Sequence, residues 1–284
     1  MKVVTTPAEI QMLAGQYRSK GLIIGLVPTM GWFHEGHLSL MREARKKADK
    51  VIVSLFVNPM QFGPAEDLDS YPYDLDRDCK LAEEIGVDLL YAPAKGVMYP
   101  QKFATTVHVE GLTSGLCGES RPGHFDGVTT VVAKLFNQTL PHFAVFGEKD
   151  FQQLAVIRQM VADLDFPIEI IGHPIVREDS GLAMSSRNTY LKDNEMAAAH
   201  SLSKGIELAK TLVKNNRGIS VQQLIERVSE DVTSHRKCDI DYIEIVDKNT
   251  LDPCKQVSVD SVLVMAVKIN GRIRLIDNSI LIAC

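Results

Sequence analysis

The sequence contains no Cys-x-x-Cys pair, and its five cysteines (Cys79, Cys117, Cys238, Cys254 and Cys284) are odd in number and scattered. That argues against a disulfide framework and against a zinc site, and predicts reduced thiols. Basic residues are not in excess: the formal net charge is −5. A broad cationic footprint for nonspecific nucleic-acid binding is therefore missing, and any anionic substrate must be met by a local cationic pocket. No apolar run approaches the length that spans a bilayer. The opening stretch, MKVVTTPAEI, lacks the apolar core of a signal peptide. Together these absences predict a cytoplasmic protein with no membrane and no nucleic-acid partner. Internal repeats and low-complexity tracts are also absent.

What remains is an ordinary globular composition. The 284 residues are 45% hydrophobic and 24% charged, enough for one large α/β domain or two domains. Thr6-Pro7 predicts a helix start that runs toward Gly21. Alternation then continues: strands at Leu22 to Val27, Val51 to Val57, Asp88 to Tyr91, His142 to Phe146 and Ile168 to Ile171. Helices are expected at His37 to Ala48, Leu75 to Ile85, Val128 to Asn137 and Phe151 to Val161. Strands that are apolar nearly throughout, such as VIVSLFV, fit a parallel sheet covered on both faces. Near residue 175 the pattern changes to two long helices, Asn194 to Lys214 and Ser220 to His235. Three strands follow, at Asp241 to Val246, Ser261 to Val267 and Arg272 to Ile276, with Asn270-Gly271 as a hairpin signal. The expected fold class is α/β: a Rossmann-like parallel sheet over residues 1–175, plus a smaller α+β domain over 176–284.

In open parallel sheets ligands bind beyond the carboxyl ends of the strands. After the first strand comes PTMGWFHEGH, with His-x-Gly-His (His34, Gly36, His37) at a strand-to-helix turn. Gly36 would let the backbone approach a phosphate, the helix start favours negative charge, and two imidazoles can donate to phosphate oxygens. After the second strand, Asn58 and Gln61 are neutral amides able to hold hydroxyl and carboxylate oxygens; loop stabilisation is an equally good reading of them. After the strand ending at Phe146 comes Gly147-Glu148-Lys149-Asp150, opening a helix with Gln152 and Gln153. Lys149 can reach phosphate as a point charge, and Asp150 can accept from ribose hydroxyls or help hold a hydrated metal. Met184-Ser185-Ser186-Arg187 offers two hydroxyls and a guanidinium as a phosphate clamp. Arg121-Pro122-Gly123-His124-Phe125-Asp126-Gly127 is either a structural turn or a cationic loop, and the pattern does not rank the two.

These segments, in this order, resemble the pantothenate synthetase family within the nucleotidylyl transferase superfamily: Pro28 to His37, Phe56 to Phe62, Arg121 to Asn137, Phe146 to Leu154 and Gly181 to Asn188. The resemblance implies a Rossmann-like domain, a C-terminal lid and a homodimer. It implies condensation of pantoate with β-alanine, with ATP as cosubstrate and Mg2+, through an acyl-adenylate. By position it implies Met30, Gly31, His34, His37, Gly147, Glu148, Lys149, Asp150, Val176, Met184, Ser185, Ser186 and Arg187 around ATP. His37, His34, Lys149 and Arg187 would act on the reaction, with His37 as proton donor. Gln61 and Gln153, with Asn58 and Arg121, would hold substrate. No metal ligands are assigned. Trp32-Phe33 and Tyr73-Asp74 depart from the family pattern, and the role of the Tyr71 to Asp78 loop stays open. From the residues alone, an adenylyltransferase that leaves AMP on its acceptor, a tRNA-synthetase relative and a nucleotide-binding scaffold are the competing readings.

Overall fold

The computed structural model describes residues 1–64 and 66–282; Cys284 lies outside them. In chain order the elements are β1 (Lys2–Val4), α1 (Pro7–Ser19), β2 (Ile24–Thr29), α2 (Glu35–Lys47), β3 (Lys50–Leu55), α3 (Leu75–Glu84), β4 (Leu89–Tyr91), α4 (Lys95–Met98), α5 (Cys117–Ser120), α6 (His124–Thr139), β5 (Phe143–Gly147), α7 (Phe151–Asp163), β6 (Glu169–His173), α8 (Met196–Ala199), α9 (Ser201–Asn215), α10 (Val221–Thr233), β7 (Cys238–Asp247), β8 (Ser261–Ile269) and β9 (Ile273–Ile280). They form two compact units. The first comprises Met1–Ser114, Arg121–Glu148 and Gln153–Pro174. The second comprises Gly115–Ser120, Lys149–Gln152 and Ile175–Cys284.

The first unit is built on a parallel sheet in the order β1-β4-β3-β2-β5-β6. From β2 the chain runs outward through β3 to β4, then returns to place β5 on the other side of β2. The order therefore reverses between β2 and β5, the kind of switch point at which a parallel sheet opens a crevice. Val27 of β2 joins Leu40, Met41 and Ala44 of α2, Ala82 of α3 and Val145 of β5 in one apolar cluster. Because strand side chains alternate, Ile24 and Leu26 face the other way, where α1 and α6 pack on each other and on β2. Burial on both faces explains why β2 and β3 read as near-continuous apolar runs.

The second unit pairs β7-β8-β9 antiparallel, with α9 and α10 on the sheet. Its core joins Leu202, Ile206, Leu224, Val228, Ile245 and Met265. The β8–β9 turn at Asn270-Gly271 has both residues at positive φ (54° and 68°), the backbone of a type I′ hairpin.

Several expectations are corrected. Lys2–Val4, unassigned from sequence, is an edge strand pairing with β4. The helix expected from Val128 begins at His124, because Gly123 at φ 80° turns the chain into it. The helix expected over Asn194 to Lys214 is broken into α8 and α9. Ser201 Oγ donates to the Ala198 carbonyl at 2.7 Å, competing with the helical ladder there.

One carboxylate ties α2, β3 and β4 together. Asp88 accepts from Arg45 Nη1 at 2.7 Å, Lys50 Nζ at 2.8 Å and the Val51 N–H at 2.9 Å. Burial alone would push its pKa up, but Lys50, the Val51 N–H and Arg45 outweigh that and hold it below the usual carboxylate value. A lowered folded pKa contributes stability above the unfolded carboxylate pKa and loses it as pH falls through the folded one. Asp88→Asn is expected to lower stability by about 2 kcal/mol at neutral pH, with the gap to the parent chain narrowing as the medium is acidified. Urea unfolding at neutral and acidic pH measures both, and a gap constant with pH would remove Asp88 from this role.

Candidate active site

The turn after β2 is shaped by its own backbone and by a carboxylate from α3. Gly31 sits at φ 90°, and a Cβ there would come within 3.1 Å of Leu55 and 3.2 Å of Asp78 Oδ2. Glycine is thus required at Gly31, and the Gly36 N–H donates to His34. Trp32 follows at φ 51°. Asp78, fully buried, accepts the Trp32 N–H at 2.6 Å and the Phe33 N–H at 2.8 Å. Arg77 donates to Asp78 at 3.1 Å and to the Phe33 carbonyl at 2.7 Å, and its guanidinium lies 4.8 Å from the Trp32 ring centroid. Burial raises the Asp78 pKa, with the Phe33 and Trp32 N–H groups and Arg77 opposing it. Phe33 is fully buried in the core. The Trp32-Phe33 departure therefore has its own packing partners, and Asp74, the other departure, caps α3 by accepting the Arg77 N–H at 3.0 Å.

This turn delivers the histidines in a defined state. His34 is the N-cap of α2, its Nδ1 accepting the Gly36 N–H at 3.1 Å. The His34 N–H in turn reaches His37 Nδ1 at 3.4 Å. The rings lie 4.1 Å apart, centroid to centroid. A ring nitrogen that accepts carries no proton, so both neutral imidazoles present Nε2–H. Two donors are thereby set side by side at the start of α2.

The neighbouring β3 supplies the amides. Gln61 Nε2 lies 3.0 Å from Met30 Sδ, joining the turn after β3 to the turn after β2. Asn58 is 1% exposed. Its Nδ2 donates to Gln61 Oε1 at 3.1 Å and to the Gly127 carbonyl at 3.0 Å; its Oδ1 accepts from Tyr99 Oη at 2.8 Å and the Met60 N–H at 3.3 Å. Both donor and both acceptor positions meet protein, and through them Asn58 orients Gln61. Arg121 also bears on Gln61. It makes a paired contact with Glu66 at 2.6 and 2.5 Å and donates to the Gln61 carbonyl at 3.1 Å. Burial would raise Glu66, but the Arg121 pair outweighs it and leaves that carboxylate below its usual value. His124 Nδ1 also meets the Gln61 carbonyl, at 2.7 Å. A Cβ on Gly127 would fall 2.3 Å from the Met60 carbonyl oxygen, so only glycine lets α6 press on this turn. The Arg121 to Gly127 segment thus scaffolds Gln61.

Gly147 ends β5, the strand beside β2, and Glu148 follows it. Gln153, on α7 of the same unit, is half-buried, and its amide bonds to none of the described residues, in contrast to Gln152, which is fixed to Cys117 and Gly115 at 3.0 and 2.9 Å.

The other nominated residues belong to the second unit. Crowding by protein lowers the Lys149 pKa; Asp150 and Asp277 oppose this, and Arg187 adds to it. Lys149 and Arg187 are therefore close enough to repel. The Met184 N–H donates to the Val176 carbonyl at 3.0 Å, and Ser185 Oγ accepts the Arg187 N–H at 3.3 Å, opening a 3-10 turn over Ser186–Tyr190. Ser186 is buried. Sequence reasoning missed Asp78, Tyr99, Asp277 and Asn278, since nothing in their neighbourhood marks them before the fold is known. Among the described residues no group of three or more His, Cys, Asp or Glu side chains stands ready to hold a metal.

Asp78→Ala is expected to leave two buried N–H groups without an acceptor, costing about 2–4 kcal/mol. Denaturant midpoints measure this; an unchanged midpoint would mean that the turn holds itself.

Comparison with known proteins gives the family. The family model described as pantoate-beta-alanine ligase matches residues 2–280. A pantothenate synthetase of Syntrophotalea carbinolica is 51% identical over 279 residues, 98% of each chain. One from Desulfotalea psychrophila is 50% identical over 290 residues, covering 99% of this chain and 100% of its own. The crystal structure of a pantothenate synthetase from Thermus thermophilus superposes with a TM-score of 0.93 at 42% identity over 100% of both chains. A pantoate-beta-alanine ligase from Francisella tularensis, described as complexed with beta-gamma ATP and beta-alanine, has a TM-score of 0.81 at 31% identity, covering 99% of this chain and 98% of its own. With the family match extending over nearly its whole length, this chain is a ligase and belongs to the pantoate-beta-alanine ligase family.

Proposed function

We propose that the chain condenses pantoate with β-alanine through a pantoyl-adenylate, consuming ATP and releasing AMP and pyrophosphate. The observation that carries the mechanism is the pair of imidazoles whose Nδ1 atoms accept backbone N–H groups at the start of α2, in the turn that Gln61 reaches through Met30. A carboxylate is a poor electrophile at neutral pH. In the first step a pantoate carboxylate oxygen bonds to the α-phosphorus of ATP while the bond to pyrophosphate breaks. No protein nucleophile is needed. Negative charge builds on the leaving phosphates, and groups fixed beforehand stabilise it best. His34 and His37 serve as such donors, with His37 supplying the proton; Lys149, Ser185, Ser186 and Arg187 serve from the second unit. Met30, Gly31, Gly147, Glu148, Asp150, Val176 and Met184 complete the nucleotide contacts. Gln61 and Gln153 hold pantoate without adding a rival charge, Gln61 also meeting β-alanine. In the second step the β-alanine nitrogen attacks the acyl carbon, the amide forms, the amine proton is lost and AMP leaves.

Mg2+ fits as a companion of the triphosphate, since it keeps much of its water and takes one or two carboxylates at most. Asp150, exposed at the start of α7, is the carboxylate we assign to it, and the ion would supply charge neutralisation. Residues 1–175 are proposed to bind ATP and pantoate, and 176–284 to act as a lid that keeps water from the adenylate. A cytoplasmic homodimer is proposed on the family resemblance. Among the described residues no helix is long and apolar enough to cross a membrane.

Pantoate-dependent exchange of pyrophosphate into ATP reports the first step alone. His37→Ala is expected to lower it by about 10²–10⁴-fold with the unfolding midpoint nearly unchanged; near-normal exchange removes His37 from the mechanism. Gln153→Ala is expected to raise the KM for pantoate far more than that for ATP, and equal rises would show that Gln153 does not select the acid.

A further inference from the structure

The end of β9 carries two buried polar residues that the reaction does not use directly. Asp277 and Asn278 are 2% and 7% exposed, paired with Met265 and Val264 of β8. Asn278 Nδ2 donates to the Lys149 carbonyl at 2.9 Å. Asp277 grips Arg177 with both oxygens, at 2.7 and 2.8 Å, and its Oδ1 also accepts the Asn278 N–H at 2.8 Å. Arg177 in turn donates to the Gly181 carbonyl at 2.9 Å and bridges Ala183 in an antiparallel ladder. That short ladder, closed by the Val176–Met184 hydrogen bond, leads straight into Ser185, Ser186 and Arg187. Two consecutive residues of one strand therefore anchor two segments distant in sequence, both within the second unit.

We propose that Asp277 and Asn278 are positioning residues that fix Lys149 and the Ser185–Arg187 segment in mutual register. The inference rests on the reading of Lys149 and Arg187 as phosphate contacts. Repulsion between like charges makes their separation depend on how the backbone beneath each is held. Asn278 fixes the backbone beneath one, and Asp277 with Arg177 fixes the loop that carries the other. The charged groups acting on Lys149 are Asp150 on its own segment, Arg187 on the loop and Asp277 on β9.

The test is pantoate-dependent pyrophosphate exchange by the full chain. Asn278→Ala is expected to lower kcat about 10–100-fold, the scale of a misplacement near 1 Å, with KM for pantoate within about twofold. Asp277→Asn keeps the shape and removes the charge. It is expected to lower kcat about 10-fold with KM for pantoate within about twofold, because Arg177 loses the paired acceptor that holds the segment leading to Arg187. A kcat loss in Asn278→Ala that merely tracks the fraction unfolded, or a kcat equal to the parent's, overturns the proposal. Where Asn278→Ala does not fold, a kcat in Asp277→Asn equal to the parent's overturns it. Lys149→Ala separates the two levels. If it retains exchange, the phosphate reading of Lys149 fails; if it loses exchange while Asn278→Ala does not, only the positioning role fails.

Discussion

The buried carboxylate of Asp78 is the constraint on which the first half of the site depends. Its two oxygens take the N–H groups of Trp32 and Phe33, residues that turn the chain from β2 into α2. A buried ionised group is unfavourable on its own, and the raised Asp78 pKa reflects that. It persists because the alternative is worse: two buried N–H groups with no acceptor, in a turn that already holds Trp32 at positive φ. Arg77 closes the arrangement from the solvent side, pairing with the carboxylate and lying over the Trp32 ring. From there the capping of α2 by His34 follows, and with it the tautomer of both histidines.

Gln61 is held by the same logic, with neutral groups in place of charged ones. Its carbonyl meets Arg121 and His124, its side-chain oxygen meets Asn58, and Gly127 lets α6 approach the turn as no larger residue could. The positive charge of Arg121 is matched by Glu66, which leaves the amide in a locally neutral setting. In the second unit the end of β9 holds the Lys149 backbone and the Arg177 side chain.

Much of this was legible in the sequence. The near-continuous apolar strands, the His-x-Gly-His turn, the Asn270-Gly271 hairpin and the ordered motifs sufficed for the α/β class and for the family, because those signals are local: periodicity, turn chemistry and residue type within a few positions. The element boundaries were less legible. The start of α6 was hidden by a glycine turn that reads as loop, and the break between α8 and α9 by a serine that reads as helix.

By itself, then, the sequence determined which chemistry is on offer: paired imidazoles, neutral amides, an ammonium and a guanidinium, each in its own strand-end segment. Only the tertiary structure decided which of them face outward and which are used internally. Asn58 and Arg121 carried no visible partner in the sequence, and the fold supplies Gly127 of α6, Tyr99 and Glu66. Asp78, Asp277 and Asn278 looked like ordinary polar residues until burial made their hydrogen bonds decisive. The physical reason is that hydrogen-bond satisfaction and desolvation depend on neighbours far away in the chain, which residue type and spacing do not encode.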